Sequence, residues 1–208
     1  MEWISRDNKM TIILCAINVI VFLGLTMIGM TENATFMLEH GAMYVPYVLE
    51  NQEYYRLFTS MFLHFGIEHL GNNMLLLFIM GTLLEKEMGS VKFTILYLLS
   101  GLGGNLLSLW GSLNSGSFAV SGGASGAVFG VIGGVLWVAL RNKGRIGNVS
   151  SNGLIFMIGL SLYLGYTSTG IDNLAHLGGL LTGIIIAVGI CRNRNRKSRA
   201  FFRDGLDS

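Results

Sequence analysis

Six apolar stretches with very few charges alternate with short segments that carry nearly all of them. They cover about residues 10–30, 67–84, 91–113, 123–140, 154–166 and 173–191. A helix of roughly 20 apolar residues crosses the hydrocarbon core of a bilayer, so each stretch reads as a membrane span, the fifth a short one. The first follows Arg6 and Lys9 in the manner of a secretory leader. It is too long for a leader's apolar region and no small-residue cleavage site follows it, so a retained span is expected. The pattern predicts an all-α polytopic membrane protein, a six-transmembrane-helix bundle. Residues 1–9 would precede it, residues 10–191 form one membrane domain, and residues 192–208 make a basic tail.

Composition agrees. Of 208 residues, 51% are hydrophobic and 12% charged, about half the charge of an ordinary soluble domain. Charge placement adds orientation. Every Lys and Arg of the 14 except Arg56 lies before span one, at the junction of spans two and three, between four and five, or after six. All of these fall on one side, which the positive-inside rule makes cytoplasmic, so both termini are expected in the cytoplasm of a cell-membrane protein. The connector over about residues 31–66 holds the single proline, Pro46, and a run of tyrosines suited to the membrane interface. Asn33-Ala34-Thr35 within it fits a glycosylation acceptor, a short and weak pattern. Cys15 and Cys191 are too few for a disulfide framework and read as packing residues. Nothing points to nucleic acid.

Polar residues inside membrane spans are costly and therefore functional candidates. Asn18 is expected to bond a neighbouring helix. Ser125 lies in Gly122-Gly123-Ala124-Ser125-Gly126-Ala127-Val128-Phe129-Gly130, where small neighbours leave its hydroxyl room. Gly122, Gly126, Gly130 and Gly134 recur every four residues, which predicts one nearly bare helix face. Ser125 and His176 each precede a basic helix end by 16 positions (125 to 141 and 176 to 192). At about 1.5 Å per residue both lie roughly 24 Å from that side. The same count from Lys86 puts Asn73 and His69 at roughly 20 and 25 Å, and their i, i+4 spacing puts them on one face. Four polar side chains from three helices thus share a layer.

A serine becomes a nucleophile when a base takes its proton, and His176 is the candidate base. Gly179 and Gly183 give its helix a small-residue face that could dock on the Ser125 helix. His69 and Asn73 could stabilise an oxyanion together with the Ser125 backbone N–H. Phe129, one turn beyond Ser125, is placed to pack on the His176 ring. Gly123 and Gly126 are supporting residues. Asp172 reads as a helix cap, leaving a Ser–His dyad. His64 and His69 do not make a metal site: neither H-E-x-x-H nor H-x-x-E-H occurs, and a five-residue step turns them about 140° apart on a helix.

These residues resemble the rhomboid intramembrane serine proteases over about residues 52–191. Tyr55-Arg56 resembles that family's aromatic–Arg pair. His64 and His69-Leu70-Gly71-Asn72-Asn73 resemble its H-x₄-H-x₃-N pattern, Gly123-Ala124-Ser125-Gly126 its nucleophile motif, and Ala175-His176-Leu177-Gly178-Gly179 its base helix. The resemblance implies cofactor-free cleavage of transmembrane segments of other membrane proteins, with a water-filled cavity open to the outside. It implies Ser125 as nucleophile, His176 as general base, His69 and Asn73 in the oxyanion hole, and a structural Arg56. Phe129 stands where many members have Tyr. Two rivals are a non-proteolytic rhomboid-like binder of membrane segments and a small transporter. The short fifth span is the expected gate.

Overall fold

A computed structural model describes residues 8–168 and 170–191, without the side chain of Cys191. The basic tail and the first seven residues, with Arg6, lie outside the described residues. Six long helices carry the fold: α1 (Lys9–Thr26), α5 (Ile67–Met88), α6 (Ser90–Ser115), α7 (Ser125–Arg141), α8 (Ser151–Thr167) and α9 (Asn173–Cys191). Three short helices, α2 (Ala34–Glu39), α3 (Val45–Leu49) and α4 (Arg56–Thr59), and a 3₁₀ turn at Ser60–Phe62 fill the connector between α1 and α5. A two-stranded ribbon, β1 (Arg145–Ile146) against β2 (Val149–Ser150), joins α7 to α8. It is a small exception to an all-helical chain.

Four of the helices, α1, α5, α6 and α9, are long and apolar enough to cross a membrane; α7 is a shorter apolar helix. Large apolar side chains face outward all round the bundle, among them Ile20, Val91, Phe156 and Ile185, each about two-thirds exposed or more. A water-soluble bundle would have to cover such a belt, whereas lipid solvates it. The molecule is a polytopic helical membrane protein.

Glycine, rather than apolar bulk, sets the centre. Helix α9 is wedged between α6 and α7 with backbones in contact. A Cβ on Gly104 would lie 2.6 Å from the Ala175 carbonyl oxygen, and one on Gly178 2.7 Å from that of Gly103. On α7 the bare face is not the one the four-residue repeat predicts. Gly122 lies before the helix, which begins at Ser125. Gly134 faces Leu84 and Leu96, while Gly126, Gly130 and Gly133 meet the α9 carbonyls of Ala175, Gly179 and Leu180. A repeat of four drifts around a helix of 3.6 residues per turn, so the seam steps to Gly133.

Gly89, at φ +81°, ends α5 and opens α6, a reversal that disfavours any residue with a Cβ. Just before it, buried Glu85 closes the start of α1. One carboxylate oxygen accepts from Met10 N and Ser90 Oγ, and the other from Thr11 N and Thr11 Oγ1, all within 2.6–2.9 Å. This acid satisfies free N–H groups of a helix start, the task of a capping side chain. Asn18 makes its expected interhelical bond, to the Tyr97 hydroxyl at 3.4 Å, besides one to Leu14 O. Asn33 turns out to cap α2, its Oδ1 accepting from Phe36 N at 3.0 Å.

Arg56 organises the connector. It is 4% exposed. Its Nη1 donates to Leu38 O at 2.6 Å and Ala42 O at 2.9 Å, and its Nε to Glu53 at 2.5 Å. The guanidinium also lies over the Tyr47 ring, 4.9 Å from its centroid. The Tyr55 hydroxyl and Arg56 hold the Glu53 carboxyl below its usual range. That pairing is therefore present above the ordinary carboxylate pKa and is lost as pH falls through the depressed value. Lysine cannot reproduce the planar fork. Arg56→Lys should expose residues 38–56 to limited proteolysis in detergent while helical circular dichroism is kept; unchanged cleavage would show that the fork is not the fastener.

Candidate active site

The turn that carries Ser125 is fixed from outside its own helix. The connector residue Met43 pairs with Ser121 in an antiparallel bridge, N to O at 2.8 and 2.9 Å. Gly123, at φ +136°, donates its N–H to Ser60 O at 2.9 Å. Ala124 donates to His64 Nε2 at 3.3 Å. His64 is fully buried, and because this nitrogen accepts, the neutral ring carries its proton on Nδ1. Asn105 on α6 braces the same wall by donating to Leu57 O at 2.7 Å and Ser60 Oγ at 2.9 Å. Ser125 follows as the first residue of α7, partly exposed.

Two imidazoles pack against residues on either side of Ser125 in the sequence, Gly123 and Phe129. His69 lies against Gly123: a Cβ there would sit 2.7 Å from His69 Cε1 and 2.8 Å from Nε2. Its Nδ1 accepts from Phe65 N at 3.4 Å, which leaves the proton on Nε2, the edge beside Gly123. On α9, His176 stacks flat on Phe129, centroids 4.3 Å apart and planes 6° from parallel. This is the expected contact of a residue one turn beyond Ser125. The His176 Nδ1 has no hydrogen-bond partner among the described residues. Asp172, one turn earlier, is engaged elsewhere: Oδ1 accepts from Ala175 N at 2.9 Å and Oδ2 from Ser108 Oγ at 2.5 Å. It caps α9, as its position suggested.

Asn73 is buried on α5, and its amide nitrogen donates to the carbonyl of His69 at 2.9 Å, onto its own helix. Gly126 faces the Ala175 carbonyl, so the α7–α9 seam begins immediately after the serine. A small hollow, with room for about one water, lies beside Ser125 between α6 and α9, bounded by Met61, Gly101, Asn105, Asp172 and Ala175. Sequence reasoning did not assign a role to Ser60, Asn105 or Ser108. Their partners are backbone atoms or residues far along the chain, and spacing carries no signal of those. His64 was visible in the H-x₄-H spacing, but its partner, a backbone N–H, was not. Among the described residues no group of three or more His, Cys, Asp or Glu is placed to hold a metal ion.

Fold and site define a helical integral-membrane protein with a partly exposed serine at a tightly held helix start, one histidine packed against Gly123 and another stacked on Phe129. Comparison with known proteins gives the family. The description of the rhomboid domain matches residues 51–193. The chain is 33% identical over 180 residues to rhomboid protease GluP of Bacillus subtilis (strain 168), covering 86% of this chain and 34% of that protein. It is 41% identical over 148 residues to RHOMBOID-like protein 1 of Arabidopsis thaliana, covering 70% of this chain and 37% of that one. With RHOMBOID-like protein 6, mitochondrial, of the same plant, it shares 38% over 150 residues, 70% of this chain and 47% of the relative. The chain spans between a third and a half of the length of these relatives. It belongs to the rhomboid family.

Proposed function

We propose that this protein is an intramembrane serine endopeptidase that hydrolyses peptide bonds in or near transmembrane segments of other membrane proteins. The observation that supports this most is the pair of rings about the serine turn: His176 held flat by Phe129, and His69 with its N–H edge on Gly123. Ser125 Oγ attacks the scissile carbonyl carbon while its proton passes to His176. The oxyanion is stabilised by the His69 Nε2–H, the Ser125 backbone N–H and the second N–H of the Asn73 amide, whose first is held by the His69 carbonyl. Collapse breaks the C–N bond, and His176 returns the proton to the leaving amine. Water, deprotonated by His176, then attacks the ester and frees Ser125. Asp172 has both oxygens committed to Ala175 and Ser108, so the base works as half of a dyad.

The bilayer is the medium and a membrane-embedded segment the substrate; no cofactor enters this chemistry. The basic connections, Lys86 and Lys92 and then Arg141, Lys143 and Arg145, face the cytoplasm in this reading, with six spans and both chain ends on that side. The test is cleavage of a single-span reporter by purified protein in liposomes. Wild type should cut it, and His69→Ala should lower kcat on the order of 10²- to 10³-fold with KM little changed, as for loss of an oxyanion donor. Folded wild-type protein that binds the reporter without cutting it would replace this reading with that of a non-proteolytic binder.

A further inference from the structure

The exposed Lys and Arg among the described residues all stand at one end of the bundle. Glu85, near the end of α5, gathers that end by binding the start of α1 and Ser90 on α6. Ile146 of the ribbon is buried in the core, and a Cβ on Gly147 would lie 3.4 Å from Leu83 of α5. This seats the ribbon against α5 one turn before Lys86. Lys9, Lys86, Lys92, Lys143 and Arg145 are exposed here. The carboxylates among the described residues of this end are Glu87 and Glu85, and Glu85 is buried with both oxygens taken.

The placement of these cations says what they meet. They are spread over the start of α1, the α5–α6 reversal and the α7–α8 link, around the rim rather than in one patch. Exposed apolar side chains adjoin them, Val91 next to Lys92 and Leu140 at the end of α7 shortly before Lys143. A phospholipid matches that pairing. Its acyl chains cover the apolar side chain and its phosphate meets the cation, with the long stems of Lys and Arg reaching from one to the other. A soluble acidic partner would leave the apolar members uncovered.

We propose that this rim binds anionic phospholipid headgroups, most strongly where the ribbon meets the end of α5, at Lys86, Lys143 and Arg145. Arg145 alternates with buried Ile146 along β1, so its side chain leaves the bundle. A headgroup held there pins the ribbon at the membrane surface. It also fixes the start of α8, which Ser150 caps by accepting from Gly153 N at 3.1 Å. This surface is separate from the serine site and does not rest on the proteolytic reading.

The test is native mass spectrometry of the full chain released from nanodiscs of equal phosphatidylglycerol and phosphatidylcholine with the same acyl chains. Phosphatidylglycerol should be retained over phosphatidylcholine on the order of fivefold, the effect of one Lys or Arg near the surface. Raising NaCl to about 0.5 M should cut that preference severalfold. Lys86→Gln, Lys143→Gln and Arg145→Gln together should bring it to about twofold or less. All three residues are exposed, so glutamine leaves the packing alone. Arg194→Gln, Arg196→Gln and Lys197→Gln together remove the same charge from the tail and should keep most of the preference. A wild-type ratio near one, or an equal loss in the two triple variants, would overturn the proposal. So would displacement of the lipid by inorganic phosphate at matched ionic strength, which would mark a site for the free ion.

Discussion

Ser125→Ala is expected to abolish reporter cleavage, a loss on the order of 10⁴-fold or more, and His176→Ala to do nearly the same. The two losses should not add, because one group is useless as nucleophile without the other as base. Both variants should fold. Ser125 is partly exposed at a helix start whose anchoring bonds come from the backbone of Gly123 and Ala124, so its hydroxyl carries no known structural load. Removing the His176 ring vacates one face of Phe129 without disturbing the glycine seam. Thermal unfolding beside the rate measurement separates lost chemistry from lost structure. Full cleavage by Ser125→Ala would refute the assignment.

The second large effect concerns the fold. A Cβ on Gly183 would collide with the backbone of Gly130, whose Cα would be only 2.6 Å away, and backbone cannot rotate aside. Gly183→Leu should therefore force α9 off α7 and cost about 3 kcal/mol or more, the upper range of overpacking. Unfolding in detergent should come roughly 10 °C earlier, if the variant accumulates at all. Gly24 on α1 is the control. Nothing lies within 4 Å of a Cβ there, so Gly24→Leu should change little. Equal melting of the two variants would mean that the close approach of α7 and α9 does not hold the bundle.

These two outcomes divide what was legible in the chain from what was not. Span pattern and basic flanks announced a polytopic helix bundle because lipid imposes length and apolarity directly on sequence. Rise per residue converts numbering into depth, and that reading gives His69, Ser125 and His176 one expected layer. Phe129 on His176 followed from one helical turn. Azimuth was less legible than depth: the glycine stripe was read straight down α7, and the seam instead runs through Gly126, Gly130 and Gly133. Nor does the apolar pattern show that α5 continues to Met88, or that Glu85 near its end is a buried cap on α1. Long-range bonds donated by backbone N–H groups, Ala124 to His64 and Gly123 to Ser60, leave no trace in spacing.

Glu85 bears as well on the transporter alternative. A coupling site needs a carboxylate that exchanges partners with an ion, whereas both oxygens of Glu85 are taken by the N-terminal turn of α1 and by Ser90. Its place is that of a fastener between helix ends.

The most direct measurement of the central claim is intact-protein and peptide mass spectrometry after treatment with an irreversible fluorophosphonate. A single adduct on Ser125 is expected in folded wild-type protein, with none in His176→Ala, because only a serine deprotonated by a neighbouring base reacts at a useful rate. An adduct on another residue, or an unmodified Ser125 in folded protein, would contradict the account.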